Sequence, residues 1–315
     1  MVAGHSVSGR IGAVCPLLQG TATRYTQAVE YGIISCGMST RIIVAAGAGD
    51  YPRLVIEGAK RAGVENVTVI AIKGSTAKRT KLAADEVREF TVGSIASAMR
   101  WASTLGADGI ILAGQINPLS LFRGRFEPEV KGWLASLKVK TAHTIFGKLI
   151  AELEKMGLKV LPASCFMEES LPGEGLLTSR APTEGELSDI AHARTVAGDM
   201  GRHDVGQTVM VKDGMVLSVE AFEGTNAAIR RGGRLGGKGS VVFKAARTGH
   251  DMRFDIPVVG LKTLKTMRKA GATALAFQAG RLILLEREKV IQYADRHGIA
   301  IVGIESGLPH APVRP

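Results

Sequence analysis

Aromatic residues are scarce in this sequence and make up 5% of its 315 positions. With 39 glycines, the composition suits close-packed α/β layers better than an aromatic-rich sandwich. No uninterrupted apolar run reaches the ~18–20 residues that a membrane-spanning helix needs. Residues 1–37 also lack the basic segment followed by an apolar core that is typical of a secretory signal. The composition therefore predicts a folded globular protein, long enough for two domains.

Zinc-binding and nucleic-acid-binding motifs are absent as well. The three cysteines (Cys15, Cys36 and Cys165) lack the spacing of a zinc site, and no His/Cys cluster accompanies them. Lys and Arg exceed Asp and Glu by 11, which favours a polyanionic partner such as nucleic acid, a phosphorylated substrate or an anionic membrane. Helix-turn-helix, zinc-finger and RNA-recognition signatures are missing, so we expect no nucleic-acid partner.

The order of apolar and glycine-rich segments predicts two α/β domains joined by a linker. Residues 41–167 alternate buried strands with helices, which indicates a Rossmann-like parallel sheet. Residues 187–306 contain the hairpin signal Asp213-Gly214, which predicts a mixed sheet. Pro, Gly, Ser and Glu mark residues 168–186 as the linker. We expect residues 1–40 to be a disordered or mis-assigned extension, with the cellular chain starting at Met38, and residues 307–315 to be a tail.

Two glycine-bearing loops follow strands of the first domain. Gly47, Ala48 and Gly49 come after residues 42–46, and Gly114 and Gln115 come after residues 109–113. Carboxyl ends of parallel strands meet at one edge, where backbone N–H groups and helix N-termini bind phosphate. The loops therefore predict a nucleotide or phosphate cleft. The third glycine of a dinucleotide fingerprint is missing, so a tight turn without a ligand stays open.

Residues 251–256 alternate as a β-strand would. Asp251, Arg253 and Asp255 fall on one face and three apolar residues on the other, before Pro257 ends the ladder. This predicts either a site on a rigid strand or an edge strand with a solvated charged face. Residues four apart on a strand lie ~13 Å from each other, so Asp251 and Asp255 cannot bind one ion together.

Further acids precede a helix in the second domain. Glu220 and Glu223 flank a Gly-Thr turn and, with Asp255, offer oxygen ligands for a Mg²⁺-type ion, although acids at this position also stabilise a helix N-terminus. Arg253 or Lys244 could neutralise a phosphoryl oxygen. Together these groups fit hydrolysis of a phosphate ester or anhydride, with a purely structural Arg–Asp pair as the alternative.

Residues 230–239 are predicted to be a flexible basic loop that follows a polyphosphate or an anionic lipid surface, or is merely solvated.

Several of these segments together carry a family resemblance. They are Gly47–Gly49 with Pro52, the stretch from Asp204 to Gln207, that from Glu220 to Thr225, that from Asp251 to Pro257, and Gln278-Ala279-Gly280. From about Arg41 to Ser306 the sequence resembles the UDP-2,3-diacylglucosamine pyrophosphatases of the LpxI type.

The resemblance implies an enzyme of lipid A biosynthesis. Its substrate would be a lipid-linked UDP-sugar, cleaved to 2,3-diacylglucosamine 1-phosphate (lipid X) and UMP with Mg²⁺ or another divalent cation such as Mn²⁺. It also implies cytoplasmic residence at the inner-membrane surface, and a homodimer is one option for the oligomeric state. The essential aspartate of the family falls on Asp255, with Arg253 as the second catalytic candidate. The substrate-binding candidates in the second domain are Gln207, Gly224, Thr225, Asn226, Lys244 and Gln278.

Two departures from the family pattern leave alternatives open. Asn226 and Gln278 stand where the family usually has acids, which would suit a catalytically weakened lipid- or nucleotide-binding homologue. A nicotinamide- or flavin-dependent oxidoreductase using residues 47–49 is the other alternative. The acidic ribose-binding residue expected ~20 positions after the glycines is not evident.

Overall fold

The computed structural model describes residues 40–116, 125–246, 251–254 and 256–305. The expectations for residues 1–39 and for the tail lie outside these residues, and so does Asp255. Within them, no helix combines the length and the apolar content needed to cross a bilayer.

The first domain is built on a four-stranded parallel sheet in the order β3-β2-β1-β4. β1, β2 and β4 are almost continuously apolar and buried, as strands covered by helices on both faces must be. The Rossmann-like parallel sheet predicted from the sequence is confirmed. Its strands are β1 (Arg41–Ala46), β2 (Asn66–Ile72), β3 (Glu86–Phe90) and β4 (Gly109–Ala113), and its helices are α1 (Tyr51–Arg61), α2 (Lys78–Ala83), α3 (Ile95–Ser103), α4 (Pro128–Ser136) and α5 (Ala142–Lys155).

The second domain has a six-stranded mixed sheet in the order β5-β12-β10-β8-β6-β7. β6 runs antiparallel to β7 and β8, whereas β8, β10 and β12 are parallel. Asp213 and Gly214 both have positive φ, as the predicted Asp-Gly hairpin turn requires. The strands are β5 (Gly175–Leu176), β6 (Thr208–Lys212), β7 (Met215–Val219), β8 (Ser240–Lys244), β10 (Ala272–Gln278) and β12 (Ala300–Ile304); β9 (Val258–Val259) and β11 (Ile283–Leu284) form a separate parallel pair.

Helices cover both faces of the mixed sheet. α6 (Glu184–Arg202) packs on one face, where Ile190 and Ala193 join a core with Phe243. α7 (Thr225–Gly236), α8 (Leu261–Ala270) and α9 (Arg287–Arg296) share the core on the opposite face, which includes Ile229 and Leu264. Two α/β domains with one parallel and one mixed sheet thus confirm the predicted fold class.

Residues 168–186, predicted to be a linker, contribute directly to the second domain. β5 pairs antiparallel with β12, and the hydroxyl of Thr178 accepts a hydrogen bond from the N–H of Ile301 at 2.9 Å. Arg180 then binds the carboxylate of Glu186 through two nitrogens, at 2.8 and 3.0 Å. The exact domain boundary stays a prediction.

Two local predictions are wrong. Met252, Arg253 and Phe254 form a turn after Asp251 instead of a strand, and regular pairing resumes at β9, after Pro257. The basic loop predicted for residues 230–239 is helical as far as Gly236, because α7 extends through it.

Candidate functional site

Several predicted site residues meet at one edge of the mixed sheet. Thr208 at the start of β6 lies opposite Lys244 at the end of β8, and Lys244 lies opposite Phe277 on β10. The N–H of Glu220, just after β7, donates to the carbonyl of Thr208 at 2.8 Å. Since β6 is antiparallel to its neighbours, its beginning and their ends share this edge. The strands therefore bring Gln207, Glu220, Lys244 and Gln278 together.

The hydroxyl of Thr225 connects two of these groups. It donates to the carboxylate of Glu220 at 3.0 Å and accepts from the ammonium of Lys244 at 2.9 Å. Lys244 is only 5% exposed and also donates to the carbonyl of Val258 at 3.1 Å. Gly224 has φ of 80°, a conformation that favours glycine, and it caps the start of α7 where Thr225 sits. The result is a carboxylate–hydroxyl–ammonium chain at the sheet edge.

The amide side chain of Gln278 has a structural task at the same edge. Gln278 is 1% exposed, and its Oε1 accepts a hydrogen bond from the N–H of Ala246 at 2.8 Å. The N–H of Ala245 donates to the main-chain carbonyl of Gln207 at 2.9 Å. Both contacts hold the chain that leaves β8, directly after Lys244. These residues support the position of Lys244.

The two predicted metal-binding glutamates differ in their surroundings. Glu223 accepts from Arg231 at 2.5 Å and from the N–H of Ala221 at 3.2 Å, and the Arg231 hydrogen bond lowers the pKa of its carboxyl. The carboxylate of Glu220 has the Thr225 hydroxyl as its partner instead. Asn226, next to Thr225, has a buried Oδ1 without a hydrogen-bond partner in the described structure. Glu220 and Asn226 thus offer oxygen atoms of the kind that hard cations prefer. Glu223 instead forms an ion pair with Arg231.

Across residues 40–116, 125–246, 251–254 and 256–305, no group of three His, Cys, Asp or Glu side chains is placed to hold a metal ion. The predicted set of Glu220, Glu223 and Asp255 includes one residue outside this range, so as a set it stays a prediction.

The glycine loops of the first domain bind to each other. The N–H of Gly47 donates to the carbonyl of Ala113 at 2.8 Å, and Ala48 and Gln115 exchange N–H···O bonds of 2.7 and 3.0 Å. A Cβ at Gly47 would lie 2.5 Å from the carbonyl oxygen of Gln115, and Gly114 has φ of +88°. The loops do lie together beside β1 and β4, where the strand order reverses. These contacts use three of the N–H groups predicted to hold phosphate, those of Gly47, Ala48 and Gln115, and Gly49 follows with φ of +96°.

Arg253 is held by two carboxylates. Its Nε and Nη2 bind Asp251 at 2.9 and 2.8 Å, and its Nη1 binds Glu154 of α5 at 2.6 Å. The hydrogen bonds that Arg253 donates to the carboxylate of Asp251 lower the pKa of Asp251 and raise the pKa of Arg253. The guanidinium is therefore occupied by protein acids, which corresponds to the structural ion pair considered as the alternative.

The same turn docks onto the first domain, which the sequence reading missed. The Phe254 ring stacks on Phe146, with centroids 5.4 Å apart and planes inclined by 14°, and the carbonyl of Met252 accepts from the N–H of Ala163 at 2.8 Å. The apolar side of the alternating pattern was a signal for burial, but it named no partner. Residues 251–254 thus join the two domains.

A separate cleft of about 890 Å³ lies between α1 and the start of α9. Leu54, Gly58, Phe166 and Arg287 are among the residues that line it. None of the predicted site residues does so. The cleft therefore adds no support to the predicted site.

Comparison with known protein families decides the relationship. Residues 41–170 match the family model described as the LpxI N-terminal domain, and residues 173–302 match the LpxI C-terminal domain. The chain belongs to the LpxI family. A protein from Caulobacter vibrioides named UDP-2,3-diacylglucosamine pyrophosphatase LpxI is 32% identical over 226 residues, covering 68% of this chain and 79% of its own length. The resemblance inferred from the motifs is confirmed.

Solved structures add nothing to the LpxI assignment. The biotin carboxylase domain of Hydrogenobacter thermophilus 2-oxoglutarate carboxylase is 14% identical, with a TM-score of 0.27 over 56% of this chain and 36% of that one. Rhizobium etli pyruvate carboxylase is also 14% identical, with a TM-score of 0.26 over 64% of this chain and 18% of that one. This chain spans well under two thirds of either protein. Scores this low carry no inference about shared fold or activity.

Proposed function

We propose that this chain hydrolyses UDP-2,3-diacylglucosamine to 2,3-diacylglucosamine 1-phosphate and UMP. The observation that carries the proposal is the match of both domains to the LpxI family, together with the name of the Caulobacter vibrioides relative. Water would attack the α-phosphorus, the bond from that phosphorus to the bridging oxygen would break, and lipid X would leave. UMP would retain the oxygen of the attacking water.

The sheet edge supplies chemistry suited to this reaction. The ammonium of Lys244, fixed by Thr225 and Val258, would neutralise negative charge on the pyrophosphate as the bond breaks. A preorganised cation in a mostly buried position is more effective than a mobile surface lysine, because less solvent screens its charge. Asp255 stays the proposed catalytic carboxylate, which binds the metal or orients the attacking water.

A divalent cation fits the donors at this edge. We propose that Glu220 and Asn226 take part in holding Mg²⁺ or Mn²⁺, with Asp255 as a further ligand. The cation would supply positive charge to the phosphoryl oxygens. In this proposal Glu223, which accepts a hydrogen bond from Arg231 of α7, anchors the segment before that helix. If Asn226 replaces a usual acid in this role, the reduced negative charge would weaken cation binding without removing an oxygen donor.

The substrate also sets the location and partners in this proposal. Its acyl chains lie in a bilayer and its UDP group is cytoplasmic, so the protein would work in the cytoplasm at the inner-membrane surface. A homodimer stays the proposed option for assembly, and nucleic acid is not a proposed partner.

The oxidoreductase alternative has less support. The N–H of Gly47 already bonds to Ala113 at the end of β4, and the N–H of Ala48 bonds to Gln115 in the neighbouring loop. Neither can also bind a cofactor pyrophosphate without breaking that hydrogen bond. A catalytically weakened homologue stays the second candidate, favoured by Asn226 and Gln278.

Release of UMP from UDP-2,3-diacylglucosamine tests the proposal directly. We expect release by the parent protein with Mg²⁺, little release after chelation, and collapse in Asp255→Ala. Glu220→Gln and Glu223→Gln form a matched pair with the same charge change. We expect Glu220→Gln to raise the Mg²⁺ concentration for half-maximal rate at least tenfold and Glu223→Gln to leave it within about twofold.

Two outcomes of these assays would contradict the proposed function or its cation site. Folded parent protein that releases no UMP at any Mg²⁺ concentration, yet retains lipid X, would establish the weakened homologue. Equal Mg²⁺ dependence in the two glutamate variants would remove Glu220 from the cation site.

A further inference from the structure

Two adjacent helices of the second domain expose cations without exposing acids. α7 carries Arg230 and Arg234 on its outer side, four residues apart, and α8 carries its own basic stripe. Neither helix contains Asp or Glu. The exposed cations of both helices and of the adjoining turn are called the basic helix surface. They are Arg230, Arg234, Lys238, Lys262, Lys265, Arg268 and Lys269.

The two stripes form one surface because the helices are in contact. Ile229 of α7 and Leu264 of α8 belong to the same core on the same face of the sheet. A Cβ at Gly233 would lie 2.5 Å from the Cβ of Ala270, so the helix backbones approach closely. Within the described structure, none of the cations of this surface makes an ion pair with an acid. Their charges are therefore available to an anionic partner.

Exposed apolar side chains border this surface. Leu235 of α7 is 69% exposed, and Met215 is 62% exposed on the edge strand β7, against which α7 packs. Cations beside exposed aliphatic groups are typical of a surface that lies at the headgroup–acyl boundary of a membrane. A nucleic-acid surface gains little from aliphatic side chains, because its main contacts are phosphates and stacked bases.

We propose that the basic helix surface docks this protein on anionic lipid headgroups of the membrane that holds its substrate. The proposal rests on the proposed function, because a diacylated substrate requires the protein to meet a bilayer. α7 begins at Thr225, in the carboxylate–hydroxyl–ammonium chain. Docking through α7 and α8 would therefore orient the candidate site relative to the bilayer as well as increase attachment.

Vesicle sedimentation of the full chain tests the surface without substrate. The probes are vesicles of phosphatidylcholine alone and vesicles of phosphatidylcholine with phosphatidylglycerol. We expect binding to the anionic vesicles only, decreasing with added salt. Neutralising Lys262, Lys265 and Lys269 to Gln should lower the partition coefficient about 100-fold, since each cation near an anionic surface contributes about fivefold.

The matched control is Lys131→Gln, Lys138→Gln and Lys140→Gln in the first domain. These lysines are also exposed, and the control has the same change in net charge. We expect it to retain binding within about threefold. Equal loss in both triple variants would show that net charge alone attracts the protein, and unchanged binding of the α8 variant would remove this surface; either would overturn the proposal. Binding of RNA in place of anionic vesicles would overturn it too.

The proposed function has a separate readout. UMP release is measured on detergent-dispersed substrate, where no bilayer is needed, and we expect the α8 variant to match the parent. Absence of UMP release with α8-dependent vesicle binding would refute the proposed substrate but support the surface.

Discussion

Replacing Arg253 tests whether this side chain serves structure or chemistry. The guanidinium binds Asp251 through Nε and Nη2 and Glu154 through Nη1. Arg253→Ala removes all of these contacts at once. Arg253→Lys keeps the charge but loses the planar fork that binds two carboxylates together. The pair of variants therefore separates charge from geometry.

The magnitude follows from the exposure of the partners. The pair with Asp251 is partly buried and bidentate, so its hydrogen bonds to a charged group contribute about 2 kcal/mol. The Glu154 carboxylate is about half exposed, and its ion pair adds roughly 0.5 kcal/mol. We expect Arg253→Ala to lower the free energy of unfolding by about 2–3 kcal/mol and Arg253→Lys by about half of that.

At acid pH, Arg253→Ala and the parent should differ less in their free energy of unfolding. Hydrogen bonds from Arg253 hold the pKa of Asp251 below its unfolded value, so this contribution is fully present above the unfolded pKa of ~3.9. It is lost as pH falls through the lower pKa of the folded state, because protonated Asp251 no longer pairs as an anion. The stability gap should therefore be constant at neutral pH and narrow below about pH 4.

Urea unfolding and UMP release provide the two readouts. If Arg253 is structural, its Ala variant unfolds at lower urea while kcat at saturating substrate stays within about tenfold of the parent. A guanidinium that stabilises the transferred phosphoryl group would instead cost about 10²–10³-fold in kcat on removal. An unchanged unfolding midpoint with a kcat loss of that size would refute the structural role and restore Arg253 to the catalytic residues.

Two further substitutions test other contacts of the structure. Thr225→Val removes the hydroxyl between Glu220 and Lys244 at nearly constant volume. We expect it to lower the free energy of unfolding in urea by about 2 kcal/mol, because buried Lys244 loses a hydrogen-bond acceptor. Thr225→Ser keeps the hydroxyl and should cost less than half as much. Equal losses would show that the hydroxyl is unimportant. Gly47→Ala places a Cβ 2.5 Å from the carbonyl oxygen of Gln115 and should destabilise the protein by about 1–3 kcal/mol. Gly132→Ala, in open space on helix α4, should stabilise it by up to ~1 kcal/mol. A higher melting temperature for Gly47→Ala than for Gly132→Ala would contradict the loop contact.

Strand ends follow from burial and turn chemistry, so the sequence predicted many of the strands and the candidate residues, but not that those residues of the second domain meet at one edge of the mixed sheet. Buried apolar runs defined β1, β2 and β4, and the Asp213-Gly214 turn fixed the direction of β7 relative to β6. Glu220 and Lys244 fall at the same edge because β8 also pairs antiparallel with β6, and the sequence does not specify that pairing. The Thr225 hydroxyl contacts could not be predicted, because they depend on the register between β6 and β8 and on the exact start of α7.

The turn at residues 251–254 shows why alternation alone misled the prediction. A strand and a turn that contains an internal ion pair can share the same polar–apolar alternation. Asp251 accepts from both the N–H and the side chain of Arg253 at 2.9 Å, a local arrangement that replaces strand pairing. Phe254 and Met252 then bury their apolar surface against the first domain instead of a sheet neighbour. Such a tertiary partner leaves no signal in the local sequence.

Glycines caused the other error, and their packing explains the basic helix surface. Each glycine inside a helix costs about 1 kcal/mol relative to alanine, so a segment with Gly232, Gly233 and Gly236 predicts a loop. In the structure, a Cβ at Gly233 would meet Ala270 of α8, and one at Gly236 would meet Leu217 of β7. These glycines are therefore needed for close packing of α7, and the packing stabilises the helix despite its composition. Because α7 is helical, Arg230 and Arg234 lie on one side next to the cations of α8, so the same close contact that misled the sequence prediction creates the continuous charged surface.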